Sequence, residues 1–134
     1  MENKFKIFTR AIIKNPEWKI LLVEKNNTRK IAAWKALLPG GTVEFWEKVE
    51  DALIREVKEE TNLDVKIKRI VDTQTMIIDW VHWLWIYFEC EAKNFFAENL
   101  EPEKHTRVFW TDWEELESHG KEVFLKFKEK LWKI

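Results

Sequence analysis

The sequence predicts a mixed α/β sandwich, and three observations carry that prediction. Segments dense in β-branched and aromatic residues flank one amphipathic helical stretch, Gly and Pro fall where the pattern changes, and 134 residues is the length of one ordinary domain. No repeat, low-complexity tract or linker interrupts the order strands, helix, strands, helix, so a single domain over residues 1–134 is expected.

Phe5 to Ile13 and Lys19 to Val23 are rich in Ile, Phe and Leu, and Lys14-Asn15-Pro16-Glu17 between them carries turn chemistry, which predicts a hairpin. Asn26 to Lys30 is polar and reads as a loop. The short apolar run Ala36 to Leu38 ends at Pro39-Gly40-Gly41, where proline and paired glycines predict a further loop. From about Glu47 to Thr61, Val49, Ala52, Leu53 and Val57 recur at helical spacing, and Asn62 suits the left-handed residue that ends a helix. Strands are expected at Asp64 to Thr73, Trp80 to Ala92 and Thr106 to Trp110. Thr111-Asp112-Trp113-Glu114 reads as a capping box, and Phe124, Phe127, Leu131 and Ile134 form the stripe of a closing amphipathic helix.

Composition narrows the function. A hydrophobic share of 46% with 35% charged residues argues against disorder. Lys+Arg 23 against Asp+Glu 24 leaves a net charge of -1, so no global field recruits a nucleic-acid polymer or an anionic membrane. The richest apolar stretch, Ile77 to Tyr87, is broken by Asp79 and His82 and is far shorter than a membrane span, and the N-terminus lacks the apolar core of a signal peptide. The lone Cys90 allows no internal disulfide and no cysteine zinc cluster, which points to a cytoplasmic setting.

On a helical wheel Glu56, Glu59 and Glu60 continue the stripe of Val49, Ala52, Leu53 and Val57, while Glu50, Asp51 and Lys58 point away. Like charges at i, i+3 and i+4 repel, and partial burial raises the cost of keeping them ionised. No lysine or arginine is expected on that face, so a hard divalent cation is the natural neutralising agent. On spacing alone the same acids also read as a solvated acidic face. Gly40-Gly41 ahead of the helix offers backbone that approaches a ligand closely, at the helix end that favours anions.

The stretch Gly41-Thr42-Val43-Glu44-Phe45-Trp46-Glu47, then seven residues, then Arg55-Glu56-Val57-Lys58-Glu59-Glu60-Thr61-Asn62-Leu63 resembles the Nudix box, G-x5-E-x7-R-E-U-x-E-E-x-G-U, at eight of nine fixed positions. The resemblance implies an α/β/α sandwich with a mixed β-sheet carrying a catalytic loop-helix-loop. It implies Glu56 and Glu60 as main metal ligands, Glu59 as a further ligand or base, the backbone carbonyl of Gly40 or Gly41 completing the metal shell, and Glu47 and Arg55 as a loop-fixing ion pair. Asn62 replaces the box glycine, which asparagine's tolerance of positive φ permits. Trp46 stands where many members have glycine. Leu38-Pro39-Gly40-Gly41, Glu44-Phe45, Asn99 to His105, Trp110 and Trp113-Glu114-Glu115-Leu116 further resemble the MutT-related nucleoside triphosphate diphosphatases.

That resemblance implies a Mg²⁺ cofactor, with Mn²⁺ able to stand in, and hydrolysis of a nucleoside triphosphate to nucleoside monophosphate and pyrophosphate. Glu103 or His105 is the expected contribution of the later loop, and Trp34, Phe45, Trp46 and Trp83 are candidates to stack on the base. A nucleotide sugar, dinucleotide polyphosphate or ADP-ribose is the alternative substrate, because the box handles only the diphosphate. A Nudix domain that senses a nucleotide without turning it over, and a scaffold whose aromatic surface pairs with a partner chain, are readings from other classes; a homodimer is compatible with catalysis.

Overall fold

In the computed structural model, which describes residues 4–26 and 36–112, the elements run β1 (Lys4–Ile13), β2 (Ile20–Lys25), β3 (Ala36–Leu37), β4 (Gly40–Thr42), α1 (Val49–Thr61), β5 (Val65–Ile78), β6 (Val81–Ala92) and β7 (His105–Thr111). β1 lies inside a four-stranded mixed sheet of order β4-β1-β6-β5, parallel to β6 and antiparallel to β4. A second, three-stranded sheet has the order β3-β2-β7. The mixed α/β architecture is the one expected.

The burial of β1 explains its place. Thr9 to Ile13 are buried without interruption, as a strand covered on both faces must be. One apolar cluster joins Ala11 and Ile13 to Leu53 and Val57 of α1 and to Phe88 of β6. The other joins Ile12 and Tyr87 to Ile20 and Leu22 of β2 and to Leu38. Ala52, Leu53 and Val57 are fully buried, so the apolar stripe read from the sequence is the face α1 presents to the protein. Asn62 takes φ 63° and closes the helix with its N–H on the Lys58 carbonyl.

Two expectations need correction. β1 and β2 do not form a hairpin ladder, because β4 and β6 occupy both edges of β1; only the bridge between Lys14 and Ile20 links the two strands. The turn between them is real, with Asn15 Oδ1 accepting the N–H groups of Glu17 and Lys19 at 2.9 Å each. Gly40-Gly41 is not loop but strand, in register with Arg10 and Thr9. Glycine permits this close approach. Gly40 sits at φ 155°, and a Cβ there would strike the Thr9 carbonyl.

β5 runs five residues beyond its expected end at Thr73, to Ile78. A tight turn follows, in which Asp79 and Trp80 both take positive φ, 49° and 66°. That backbone matches the twist of a hairpin, and it was hidden because Asp-Trp lacks the usual glycine. The capping box from Trp113 onward, the closing helix, Trp34 and most of the polar loop after Asn26 lie outside the described residues. No described helix is long and apolar enough to cross a membrane.

Candidate active site

β4 and α1 meet at two contacts that build a recess. Gly40 N–H donates to Glu60 Oε1 at 2.9 Å, fixing a carboxylate whose residue is only 4% exposed. Gly41 faces Glu56 so closely that an added Cβ would lie 2.5 Å from Oε1 and 2.7 Å from Oε2. The recess encloses about 220 Å³ and is lined by both glycines, Glu56, Glu60, Glu101 and His105, with Lys25, Lys104 and Phe8 at its walls. Glu101 and His105 share one turn before β7, in which the Glu101 carbonyl accepts the N–H groups of Lys104 and His105.

Crowding of acids shifts their ionisation. Burial pushes the Glu60 carboxyl up to about 7, nearby Glu56 adds to that, and the Gly40 N–H together with Lys25 and Arg10 oppose it. Burial also raises Glu56, against the pull of Arg55 and with the help of Glu59 and Glu101. Arg10 is itself buried, donating to the Leu38 carbonyl at 2.7 Å and lying over the Phe8 ring at 4.4 Å. His105 Nε2 stands 3.7 Å from Glu60 Oε2, a charge contact when the imidazole is protonated and too long for a hydrogen bond.

Arg55 changes the electrostatic reading of the helix face. Its Nε and Nη2 donate to the two oxygens of Glu47 at 2.7 and 2.8 Å, and its Nη1 reaches Glu56 at 3.1 Å and Glu59 at 3.2 Å. The expectation that no lysine or arginine shares the acidic face is therefore incorrect; a long side chain folds along the helix to positions i+1 and i+4. The Arg55 hydrogen bonds hold the Glu47 carboxyl down to about 2.

The Nudix domain model matches residues 5–131. The chain belongs to the Nudix family. Over 53 residues it is 45% identical to an ADP-ribose pyrophosphatase of Methanocaldococcus jannaschii, a match covering 40% of this chain and 30% of that protein. Over 97 residues it is 30% identical to YvcI, an uncharacterised Nudix hydrolase of Bacillus subtilis, covering 70% of this chain and 58% of that protein. The chain thus spans less than two thirds of the length of both relatives. A MutT Nudix hydrolase from Burkholderia pseudomallei superimposes with a TM-score of 0.73 at 25% identity, over 83% of this chain and 85% of that one.

In this Nudix chain the residues singled out from the sequence are not all gathered in the recess. Glu56, Glu60, Gly40, Gly41 and His105 line it. Glu59 has a side chain 49% exposed, is held by Arg55 and lies outside the lining. The Gly41 carbonyl accepts the Thr9 hydroxyl at 3.1 Å. Glu103 is exposed, with its backbone carbonyl bound by Asn26, and Glu101 lines the recess instead; the turn that brings residue 101 beside residue 105 turns 103 outward. Phe45 and Trp46 are 85% and 91% exposed and pack edge to face on each other. Phe45 borders a neighbouring groove of about 430 Å³ that shares Thr42 and Glu44 with the recess. Trp83 sits on β6 beside Phe8, with Lys6 Nζ 5.5 Å from its ring. Lys25, Lys104, Glu101, Arg10 and Phe8 were not foreseen; for Glu101 and Lys104 the signal was present in the Asn99 to His105 segment.

The donor set fits a hard divalent cation. Glu56, Glu60 and Glu101 bring oxygen ligands to one recess, and burial has raised the first two toward protonation, a cost that a cation would remove. Among the described residues no three such groups are already drawn into a finished metal cage. Glu56 would have to exchange its contact with Arg55 for the ion.

Proposed function

We propose that this chain, as one domain over residues 1–134, hydrolyses a nucleoside triphosphate to nucleoside monophosphate and pyrophosphate with Mg²⁺, or Mn²⁺ in its place, in the cytoplasm. The observation that carries the reading is the convergence of Glu56 and Glu60 with the Gly40-Gly41 backbone and two lysines on one recess. A divalent cation held by Glu56 and Glu60, with Glu101 beside them, would neutralise phosphate charge and lower the pKa of bound water. Gly40 N–H keeps Glu60 in place for that task. Arg55, braced by Glu47, orients Glu56 and Glu59. Glu59, the more exposed of the pair, is suited to accept the proton of the attacking water. Lys25 and Lys104 face the substrate's phosphates.

The name of the Methanocaldococcus jannaschii relative favours a second reading, cleavage of ADP-ribose or a similar nucleoside diphosphate compound. Incubating the protein with Mg²⁺ and nucleoside triphosphates, nucleotide sugars, dinucleotide polyphosphates and ADP-ribose, with products separated by chromatography, distinguishes the two. Monophosphate plus pyrophosphate from triphosphates supports the first reading. Turnover restricted to ADP-ribose or another diphosphate compound replaces it with the second, and nucleotide binding without turnover replaces both with a sensor.

A further inference from the structure

α1 covers only part of the sheet face on which it packs. Alternation along β1 turns Phe5, Ile7, Ala11 and Ile13 to that face, with His82, Leu84, Phe88 and Cys90 opposite them on β6. Leu53 and Val57 of the helix join Ala11, Ile13 and Phe88 in a buried cluster. The outer row, in which Phe5 and Ile77 flank His82, is left open: Phe5 is 76% exposed and Ile77 71%.

The open end of the face holds the groove of about 430 Å³, walled by Phe5, Ile7, Val43, Phe45 and Val49. Trp46 stands beside it, 91% exposed and braced edge-on by Phe45 with ring centroids 4.6 Å apart. An apolar hole and an apolar knob therefore sit side by side on one surface. Phe5, Phe45 and Trp46 alone leave roughly 500 Å² of aromatic surface in water. A patch of that size commonly marks a site of association, and with Ile77 and its neighbours it approaches the about 800 Å² that each partner contributes to a standard interface.

A second copy of this chain is the occupant that matches. Knob and hole on one patch are self-complementary under a twofold axis, because the contact that Trp46 of one copy makes with the groove of the other is repeated in reverse. A net charge of -1 leaves little repulsion between copies. We propose that the chain forms a twofold homodimer through this face, with Trp46 of each protomer seated against Phe5 in the groove of its partner. The assignment concerns association and is independent of the substrate. It gives Trp46 a place in the molecule apart from the recess that handles phosphate.

Sedimentation velocity on the full chain tests this, with circular dichroism confirming that each variant keeps the fold. The wild type should sediment in the micromolar range as a species of twice 16.4 kDa. Phe5→Lys and Trp46→Glu should each raise the dimer Kd about a hundredfold or more, because a hot-spot change enters a twofold interface twice. Mixing these two variants should restore dimer that neither forms alone, since the mixed pair keeps one Trp46 to Phe5 contact and places opposite charges at the other. Phe96→Glu serves as the comparison: Phe96 is 83% exposed but lies toward the C-terminal end of α1, where the Glu98 N–H meets the Thr61 carbonyl, and its replacement should leave the dimer intact. A mixture no more dimeric than its components, or dissociation by Phe96→Glu as complete as by the other two, overturns the proposal. A monomeric wild type overturns it as well and leaves the face to a partner of another kind.

Discussion

Arg55 lies across Glu47 in a two-bond pair, Nε to Oε2 at 2.7 Å and Nη2 to Oε1 at 2.8 Å, which ties the loop ahead of α1 to the middle of that helix. Glu47 Oε1 also accepts the Glu44 N–H, so the pair anchors the loop backbone as well as the guanidinium. Because Nη1 of the same group touches Glu56 and Glu59, the pair sets where the acids point.

Arg55→Ala removes that orientation without touching the recess lining. Turnover should fall about 10–100-fold, the usual loss when a partner that orients metal ligands is deleted. Steady-state kinetics on the best substrate, with circular dichroism to confirm the fold, measures it. Arg55→Lys should recover little, since an ammonium cannot make two parallel bonds to Glu47.

The adjacent glycines should respond differently to one methyl group. At Gly41 the atoms nearest the new Cβ all belong to the end of the flexible Glu56 side chain, so Gly41→Ala should fold and yet lose about a hundredfold in activity through displacement of that carboxylate. At Gly40 the Cβ meets Thr9 backbone at a positive φ, so Gly40→Ala should cost on the order of 4 kcal/mol of stability. Denaturant titration and kinetics on both variants separate the two effects.

The later loop supplies a paired comparison. Glu101 lines the recess and raises Glu56, whereas Glu103 is exposed and turned away. Glu101→Gln should lower activity about tenfold or more, and Glu103→Gln should leave it unchanged. Side-by-side assays at several Mg²⁺ concentrations show whether the loss at Glu101 is met by adding metal, as expected for a group beside the ion.

Glu60 gives the metal-free protein a pH dependence of definite sign. Its folded pKa of about 7 lies above its ordinary 4.5, so between those values the unfolded chain releases the proton first and unfolding gains as pH rises. Thermal melts in chelator should therefore show stability falling from pH 4.5 to 7, by on the order of 3 kcal/mol at most. Glu60→Gln should flatten that fall, and saturating Mg²⁺ should reverse it by favouring the ionised carboxylate.

How far the sequence reached follows from which interactions are local. The helix, its Asn62 cap and its apolar stripe depend on spacing within thirteen residues, and the structure shows them, but of the three acids only Glu56 and Glu60 line the recess while Glu59 stands half exposed against Arg55. The expected hairpin and glycine loop do not form because strand pairing is decided by distant partners, β4 and β6, that no local pattern displays. The same reason hid Arg10 and Lys25, whose strands reach the recess only after the sheets assemble. Of the two residues expected from the later loop, His105 lines the recess and Glu103 does not, because a single turn of backbone, invisible in the sequence, brings Glu101 inward in place of Glu103.

The most direct test is titration of the chelator-treated wild type with Mn²⁺, followed by electron paramagnetic resonance of the free ion, alongside Glu56→Gln and Glu60→Gln. The expected result is saturable uptake by the wild type and its loss or marked weakening in both variants. Equal uptake by all three proteins, or none by the wild type at millimolar Mn²⁺, would contradict the assignment of Glu56 and Glu60 as the groups that hold the ion.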